Sequence, residues 1–327
     1  MNHLRESREL FSMVDKNIRP INSASDLKPV ANLLYECFQE AMDEDGEKYI
    51  NYLRRISETP LFAKIVQRNP EKYSLPAEGF VFTEKGRIIG NITLSTLKVA
   101  HEVVYVISNV AVQPDSRGKG IAKELTKTAL EYIESRGIKE TWLQVKDDNQ
   151  AALHLYDDFE FVTFMTRTTW MQKKINSLFL KEINSTIHKR KKVDWVIQRD
   201  QLAALHPPEL TASYGFEIGS FQPSLKQFII DSLHDRIRVH WMDELGEEKG
   251  FISYELLPYQ SYTNLWLAVP EEKSVESHFI RTLIPFAHSR VGNEIRINYP
   301  AGRAEESFSA IGMRPLNTLH WKRRSMS

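Results

Sequence analysis

Two hydrophobic rhythms alternate along the chain. Apolar residues at Val30, Leu33, Leu34, Cys37, Phe38 and Ala41 keep the three-to-four spacing of a helix face. The stretch opens with Ser and Asp cap candidates and a proline. A second helical pattern covers Glu47 to Gln67, and "IRPI" before both reads as a short strand. "GFVFTEKGRIIGNITL" then has strand rhythm on both sides of Glu84-Lys85-Gly86, which predicts a hairpin. The apolar run Val103 to Val112 predicts a strand. After it, Ile121, Leu125, Ala129, Tyr132 and Ile133 stripe a helix over Lys119 to Arg136, ended by Gly137. Strand "TWLQV", short helix "NQAALHLYDDF" and strand "FVTFMTRTTWMQ" complete the unit. The fold class expected is α/β, a mixed sheet covered by helices.

The second half repeats this order in faded form. "GEEKGFISYELL" matches "KGRIIGNITLS", and "YTNLWLAVP" matches "VVYVISNVAVQP". "TLIPFAHSRVGNEIRIN" matches "TALEYIESRGIKETWLQ", and "FSAIGMRPLNTLHWKRR" matches "YDDFEFVTFMTRTTWMQ". Four matches in the same order, at a slowly drifting spacing of about 151 to 160 residues, predict two copies of one fold. The boundaries expected are 15–172 for the first domain, 173–195 for a basic connecting segment and 196–327 for the second. A nucleic-acid-binding role for that segment is the lesser reading, since stacking aromatics do not accompany it.

Composition narrows the function classes. The chain has 327 residues, 42% hydrophobic and 26% charged, with formal net charge zero, so no global field favours nucleic acid. The first twenty residues are too charged for a signal peptide, and no apolar stretch reaches the roughly 18 residues of a membrane span. A cytoplasmic protein without disulfides is expected. The single cysteine, Cys37, reads as a small buried hydrophobe rather than a nucleophile. No cysteine cluster suggests a metal, and none is expected.

The candidate chemistry lies in "SRGKGIA", Ser116 to Ala122, between an apolar strand and an amphipathic helix. A helix N-terminus leaves about four backbone N–H groups unpaired and carries roughly half a positive charge, so an anion placed there satisfies both. Gly118 and Gly120 remove bulk, Ala122 keeps the first turn thin, and Arg117 and Lys119 add positive charge. The P-loop pattern is missing, and so is the third glycine of a dinucleotide fingerprint, where Ala122 and Lys123 follow Ile121. The turn therefore predicts a diphosphate site of another kind.

"VAVQPDSRGKGIAKEL" resembles the acetyl-CoA-binding motif of the GNAT acetyltransferase superfamily, with Arg117, Gly120 and Ala122 in the places of Q/R-x-x-G-x-G/A. "DNQAALHLYDDFEF" resembles the family's later motif, with Asn149, Ala152, Leu155, Tyr156 and Phe161 in place and Glu160 where a glycine is usual. The resemblance covers residues 15 to 172. It implies tandem GNAT-like domains, with two parallel strands of the first splayed apart. It also implies acetyl-CoA held by backbone at Val110, Ala111 and Val112, with its pyrophosphate held by the backbone of Arg117, Gly118, Lys119, Gly120, Ile121 and Ala122. Asn149 and Ala152 would lie along its pantetheine arm.

The reaction so implied is direct acetyl transfer to an amine, small molecule or peptide, with Tyr156 as the acid for the leaving thiolate. Glu102 and His101 are candidates for removing a proton from the amine, and Ser108 and Asn109 for orienting it. The acidic run Gln39 to Glu47 could attract a cationic acceptor or be a solvated helix end. In the second copy, Phe308 replaces Tyr156, and "EEKSVESHFIRTL" puts three acids where a diphosphate would bind, so no cofactor is expected there. Its aromatics Tyr254, Tyr259, Tyr262 and Trp266 face substrate or, more simply, the core. A non-catalytic acyl-CoA sensor is the alternative function. A transferase of aminoacyl groups from tRNA is a weaker third reading, because it needs no diphosphate turn.

Overall fold

In the computed structural model the described residues are 17–42, 44–59, 78–100, 102–174, 186–234, 236–256 and 260–326. The expected helix beyond Thr59, His101 and Tyr259 lie outside them. The elements of the first copy follow the sequence pattern closely. They are β1 (Ile18–Pro20), α1 (Leu27–Phe38), α2 (Glu44–Ser57), β2 (Glu78–Glu84), β3 (Arg87–Val99) and β4 (Glu102–Val112), then α3 (Ile121–Ser135), β5 (Glu140–Lys146), α4 (Gln150–Asp158) and β6 (Val162–Gln172). Helix α2 starts three residues before the expected Glu47, because Glu44, Asp45 and Glu47 complement the positive end of its dipole in the first turn.

Contacts divide the chain into two compact units that are not continuous in sequence. The first contains residues up to Gln144, with Ala151–Val162 and Lys322–Ser327; the second contains Val145–Gln150 and Thr163–Trp321. In the first unit the strands run in the order β1-β2-β3-β4-β5. All neighbours are antiparallel except β4 and β5, which are parallel. The hairpin turns where expected, with Lys85 and Gly86 both at positive φ (50° and 77°). On one face of this sheet, Leu27, Val30 and Leu34 of α1 and Ile50 and Leu53 of α2 bury against Val81 and Ala111. On the other, α3 lies so close that a Cβ at Gly90 would stand 2.9 Å from Ile121 Cγ2 and 3.0 Å from Leu125 Cδ1.

The second unit contains β7 (His188–Lys189), α5 (Trp195–Leu205), α6 (Pro208–Ser213), α7 (Leu225–Leu233), β8 (Ile237–Leu245), β9 (Glu248–Leu256) and β10 (Tyr262–Ala268), followed by α8 (Lys273–Val291), β11 (Glu294–Pro300), α9 (Glu305–Ala310) and β12 (Arg314–Ser325). Strand β7 lies within the segment expected to be a connector, and it pairs with β8 through His188↔Met242 and Lys189↔Trp241. The order hairpin, strand, helix, parallel strand, helix, strand recurs here as β8-β9-β10-α8-β11-α9-β12. Gly250 does for α8 what Gly90 does for α3, since its Cβ would fall 2.3 Å from Phe279 Cγ. One core cluster gathers Leu202, Phe221, Met242, Phe251 and Ala268, and a larger one centres on Phe279, Leu283, Ile297, Tyr299 and Phe308, with Trp170 stacked on Phe308 at 5.0 Å. That tryptophan reaches the cluster because β6, the last strand of the first copy, pairs antiparallel with β11 from Arg167↔Pro300 to Gln172↔Ile295.

The two short helices α4 and α9 end alike. Phe161 N–H donates to Tyr156 O at 3.0 Å and Glu160 N–H to Asp157 O at 2.9 Å; Met313 N–H donates to Phe308 O and Gly312 N–H to Ser309 O, both at 3.0 Å. Both are Schellman turns, whose residue after the helix must be left-handed. Gly312 takes it at φ 80° and Glu160 at φ 62°.

Candidate active site

Strand β4 is the frame of the site. It pairs in parallel with β5 only at Tyr105↔Thr141, Val106↔Trp142 and Ile107↔Leu143, yet it runs five residues further, to Val112. Its opposite edge stays on β3, through Thr93↔Ser108, Asn91↔Ala111 and Gly90↔Val112, with an irregularity between Asn91 and Thr93. Among the described residues, the stretch Ser108–Val112 therefore has one edge without a strand beside it, which is the splay that the family resemblance implies.

The irregularity is a bulge held by side chains that the sequence analysis missed. Asn109 stands at φ 51°. The fully buried Asn91 donates through Nδ2 to Asn109 O at 2.8 Å and to Thr93 Oγ1 at 3.2 Å. Asn109 Nδ2 donates in turn to the Tyr49 hydroxyl of α2 at 3.4 Å, and burial pushes that phenol's pKa above its ordinary value. Asn91 had no visible role in the sequence because its partner is eighteen residues away on the next strand.

Past Val112, residues Pro114–Ser116 form one 3₁₀ turn, and Gly118 and Gly120 follow at φ 77° and 81°. A Cβ on either glycine would meet no protein atom within 4 Å. The turn is thus fixed by backbone conformation and leaves open space outside, as a cradle for a bulky anion requires. Helix α3 begins at Ile121 and its first internal bond runs from Glu124 N–H to Gly120 O at 3.0 Å. The preceding amides, from Ile121 to Lys123, are those a helix start leaves over. Lys119 is exposed, and Ala122 is half-buried.

The side chains of two expected cofactor residues are engaged within the protein. Ile121 is 5% exposed, and its side chain seats α3 on Gly90, so only its backbone is available to a ligand. Arg117 turns back: its Nε donates to Val112 O at 3.2 Å, and Cys37 Sγ donates to the same oxygen at 3.3 Å. The Val112 carbonyl therefore already accepts from two side chains. Cys37 is half-buried, and burial raises its thiol pKa. It serves as a donor to the strand end rather than as a purely apolar filler.

Tyr156 projects from α4 with only 6% of its surface exposed, edge-on to Phe161 at 5.8 Å. Among the described residues its hydroxyl has no hydrogen-bond partner. Burial raises its pKa well above the ordinary phenol value, so it stays protonated throughout the neutral range. Ala152, one turn earlier on α4, is half-buried. Asn149 is exposed at the foot of α4, with its N–H on Lys146 O at 3.1 Å. It groups with the second unit and not with the glycine turn and Tyr156.

The remaining candidates separate. Glu102 is exposed at the hairpin end of β4, opposite Val99. Val110 lies eight positions further along the strand, roughly 25 Å away, which is too far for Glu102 to act on a group held there. Glu44 forms an ion pair with Lys48 at 2.9 Å on the surface, so this part of the acidic run is a solvated helix start. Ser108 and Asn109 do stand on the unpaired stretch.

The second unit fills the corresponding places with its own side chains. Glu276, in the first turn of α8 and 3% exposed, accepts from Tyr299 OH and, at 2.6 Å, from Arg303 Nε. On β10, the Leu267 carbonyl is contacted by His206 Nε2 at 3.1 Å. That ring is 1% exposed, and burial first, then the Arg167 charge, brings its pKa down to about 3. It is neutral and donates. Tyr254 is buried, Tyr262 stacks under Arg296, and Trp266 stacks on Phe216 at 3.8 Å. Among the described residues, no group of three or more His, Cys, Asp or Glu could hold a metal ion, and no helix is long and apolar enough to cross a membrane.

Residues 30–161 match the family model described as acetyltransferase (GNAT) family. Mycothiol acetyltransferase of Rhodococcus jostii is 43% identical over 63 residues, 19% of this chain and 20% of that protein. That of Streptomyces coelicolor is 33% identical over 100 residues, 30% of this chain and 31% of that one. The [ribosomal protein bS18]-alanine N-acetyltransferase of Escherichia coli is 36% identical over 53 residues, 16% of this chain and 36% of that one. The chain thus spans between a fifth and about a third of these relatives' length. Among solved structures, a GCN5-related N-acetyltransferase from Sphaerobacter thermophilus has TM-score 0.55 and 12% identity, over 96% of this chain and 97% of that one. A glucosamine N-acetyltransferase region of a fungal multi-domain β-N-acetylglucosaminidase has TM-score 0.58 and 11% identity, over 94% and 38%. The shared fold therefore extends through both halves, and residues 30–161 carry the match to the GNAT family.

Proposed function

We propose that the protein is an N-acetyltransferase that moves an acetyl group from acetyl-CoA to an amine, with one working site per chain, in the first copy. The observation that carries this reading is a continuous run of backbone: the unpaired edge of β4 leads straight into the open Gly118–Gly120 turn and the start of α3. These parts fit the thioester substrate in order. The Val110–Ala111 edge would hold the pantetheine arm as a short added strand does. The amides of residues 118–122, with Lys119, would hold the diphosphate.

Within that frame the chain's own groups have separate tasks. The Asn91–Asn109 bond fixes the bulge, so a β4 amide is aimed at the oxygen on which charge develops during attack. The Tyr156 hydroxyl, protonated and unbonded, gives its proton to the departing thiolate. Asn149 and Ala152 are proposed along the pantetheine arm. The domains are proposed at 15–172 and 196–327, with the second as a degenerate twin whose cleft is closed by His206 and Glu276. The relatives named above act, by their names, on mycothiol and on an alanine of a ribosomal protein. Both a small-molecule and a peptide amine are therefore suitable first acceptors to try.

A panel of amines incubated with acetyl-CoA, with free thiol followed, tests the proposal. At least one amine should raise thiol release above hydrolysis, and Tyr156→Phe should lower kcat about 100-fold while coenzyme A affinity is kept. A panel with no stimulation, or a Tyr156→Phe enzyme of undiminished kcat, would overturn it.

A further inference from the structure

The last residues of the chain belong to the first unit, although they follow the whole second copy. Met326 N–H donates to Lys139 O at 2.8 Å, and Arg323 and Arg324 form ion pairs with Glu140 and Glu134 at 3.7 and 4.0 Å. Lys322 is the inner member of this group. It is 4% exposed, and its ammonium contacts Asp157 Oδ1 at 2.5 Å and Phe161 O at 3.2 Å. Those two residues bracket the C-terminal turn of α4 that Tyr156 itself closes, since Phe161 N–H bonds to Tyr156 O.

We infer that Lys322 is a positioning residue for Tyr156: it clamps the end of α4 from 165 residues away and so sets where the phenol points. Three physical observations support this. A cation belongs at a helix C-terminus, where carbonyls are left over and the dipole is negative. An ammonium withdrawn from water needs good partners, and an acid and a carbonyl on the same turn supply them. The turn also needs the help, because Glu160 holds it at φ 62°, a conformation that disfavours a side chain. The second copy, which has Gly312 at that place and Phe308 for the tyrosine, lacks both the strain and the acid to be aimed.

This inference rests on the acetyltransferase reading for its kinetic consequence, but its structural consequence can be measured without any transfer. In the full chain labelled with [13Cζ]-tyrosine, the Tyr156 resonance is assigned as the one lost in Tyr156→Phe. Lys322→Met should displace or broaden that resonance, and Lys322→Arg should leave it near its original position. With an acceptor amine in hand, Lys322→Met should lower kcat about ten-fold with the KM for acetyl-CoA little changed, and Lys322→Arg should restore most of it. An unmoved Tyr156 resonance in a folded Lys322→Met protein overturns the inference, as does an unchanged kcat. If no amine is acetylated and the resonance still moves, the transferase reading fails while the clamp stands. Should Lys322→Met not fold, Asp157→Asn serves in its place, because it weakens the same contact from the exposed side, and the same two outcomes decide.

Discussion

Glu160 shows how one residue can carry both a family pattern and a departure from it. The Schellman hydrogen bonds around it match those around Gly312, so the backbone path is retained while the residue suited to it is not. A side chain in the left-handed region costs about 1–2 kcal/mol, partly offset by the extra unfolded freedom of a glycine. Glu160→Gly should therefore stabilise the chain by about 0.5–1 kcal/mol, seen as a rise of a few degrees in Tm by calorimetry. A fall in Tm would mean that the Glu160 side chain has a stabilising partner. Tyr156 is singled out in the sequence by the family resemblance, whereas its helical spacing with Ala152 and Leu155 alone reads as a packed core face. Lys322, Asn91 and His206 are not singled out, because each acts through a partner brought near only by the tertiary fold.

Among the elements, helices and strands followed their periodicities, and the hairpin turned at its Lys-Gly pair. What periodicity could not give was distance. Nothing in the spacing of α3 says how closely it approaches the sheet, yet Gly90 removes the one Cβ that would hold it away, and Gly250 repeats this below α8. Gly90→Ala should cost about 1–3 kcal/mol by overpacking against Ile121 and Leu125. Because α3 carries the glycine turn at its N-terminus, coenzyme A affinity should fall as well. Denaturant unfolding and titration of the same variant check both, and unchanged stability would show that the helix shifts freely. The β4 splay was expected from family resemblance alone; no composition or rhythm in Val103–Val112 announces where pairing with β5 stops.

For the whole molecule, the repeated order of elements was readable, but the membership of the two contact units was not. Boundaries drawn at the end of β6 and at a basic connector follow sequence order, whereas contacts place Thr163–Gln172 in the second unit and Lys322–Ser327 in the first. Strands find partners by edge and register, which leave no mark in local composition. The second unit also carries a pH dependence. His206 and His240 have their pKa values brought down to about 3 by burial, with nearby arginines adding to the effect. Both rings are neutral when folded, so they cost nothing above the ordinary histidine pKa near 6.5. As pH falls from there towards 3, the unfolded chain gains protons that the folded one refuses. Stability should then fall by about 1.4 kcal/mol per pH unit for each ring. Thermal unfolding from pH 7 to pH 4 should show this, and His206→Gln should flatten the dependence; a Tm independent of pH in that window would contradict it.

The central claim is tested most directly by calorimetric titration of the full chain with coenzyme A. The account predicts one site per chain, weakened at least ten-fold by Gly120→Asp and much less by Gly120→Asn. Both residues tolerate the left-handed backbone, and only Asp places a negative charge where the diphosphate should lie. Absence of binding, a second equivalent site, or equal affinity for the Asp and Asn variants would contradict it.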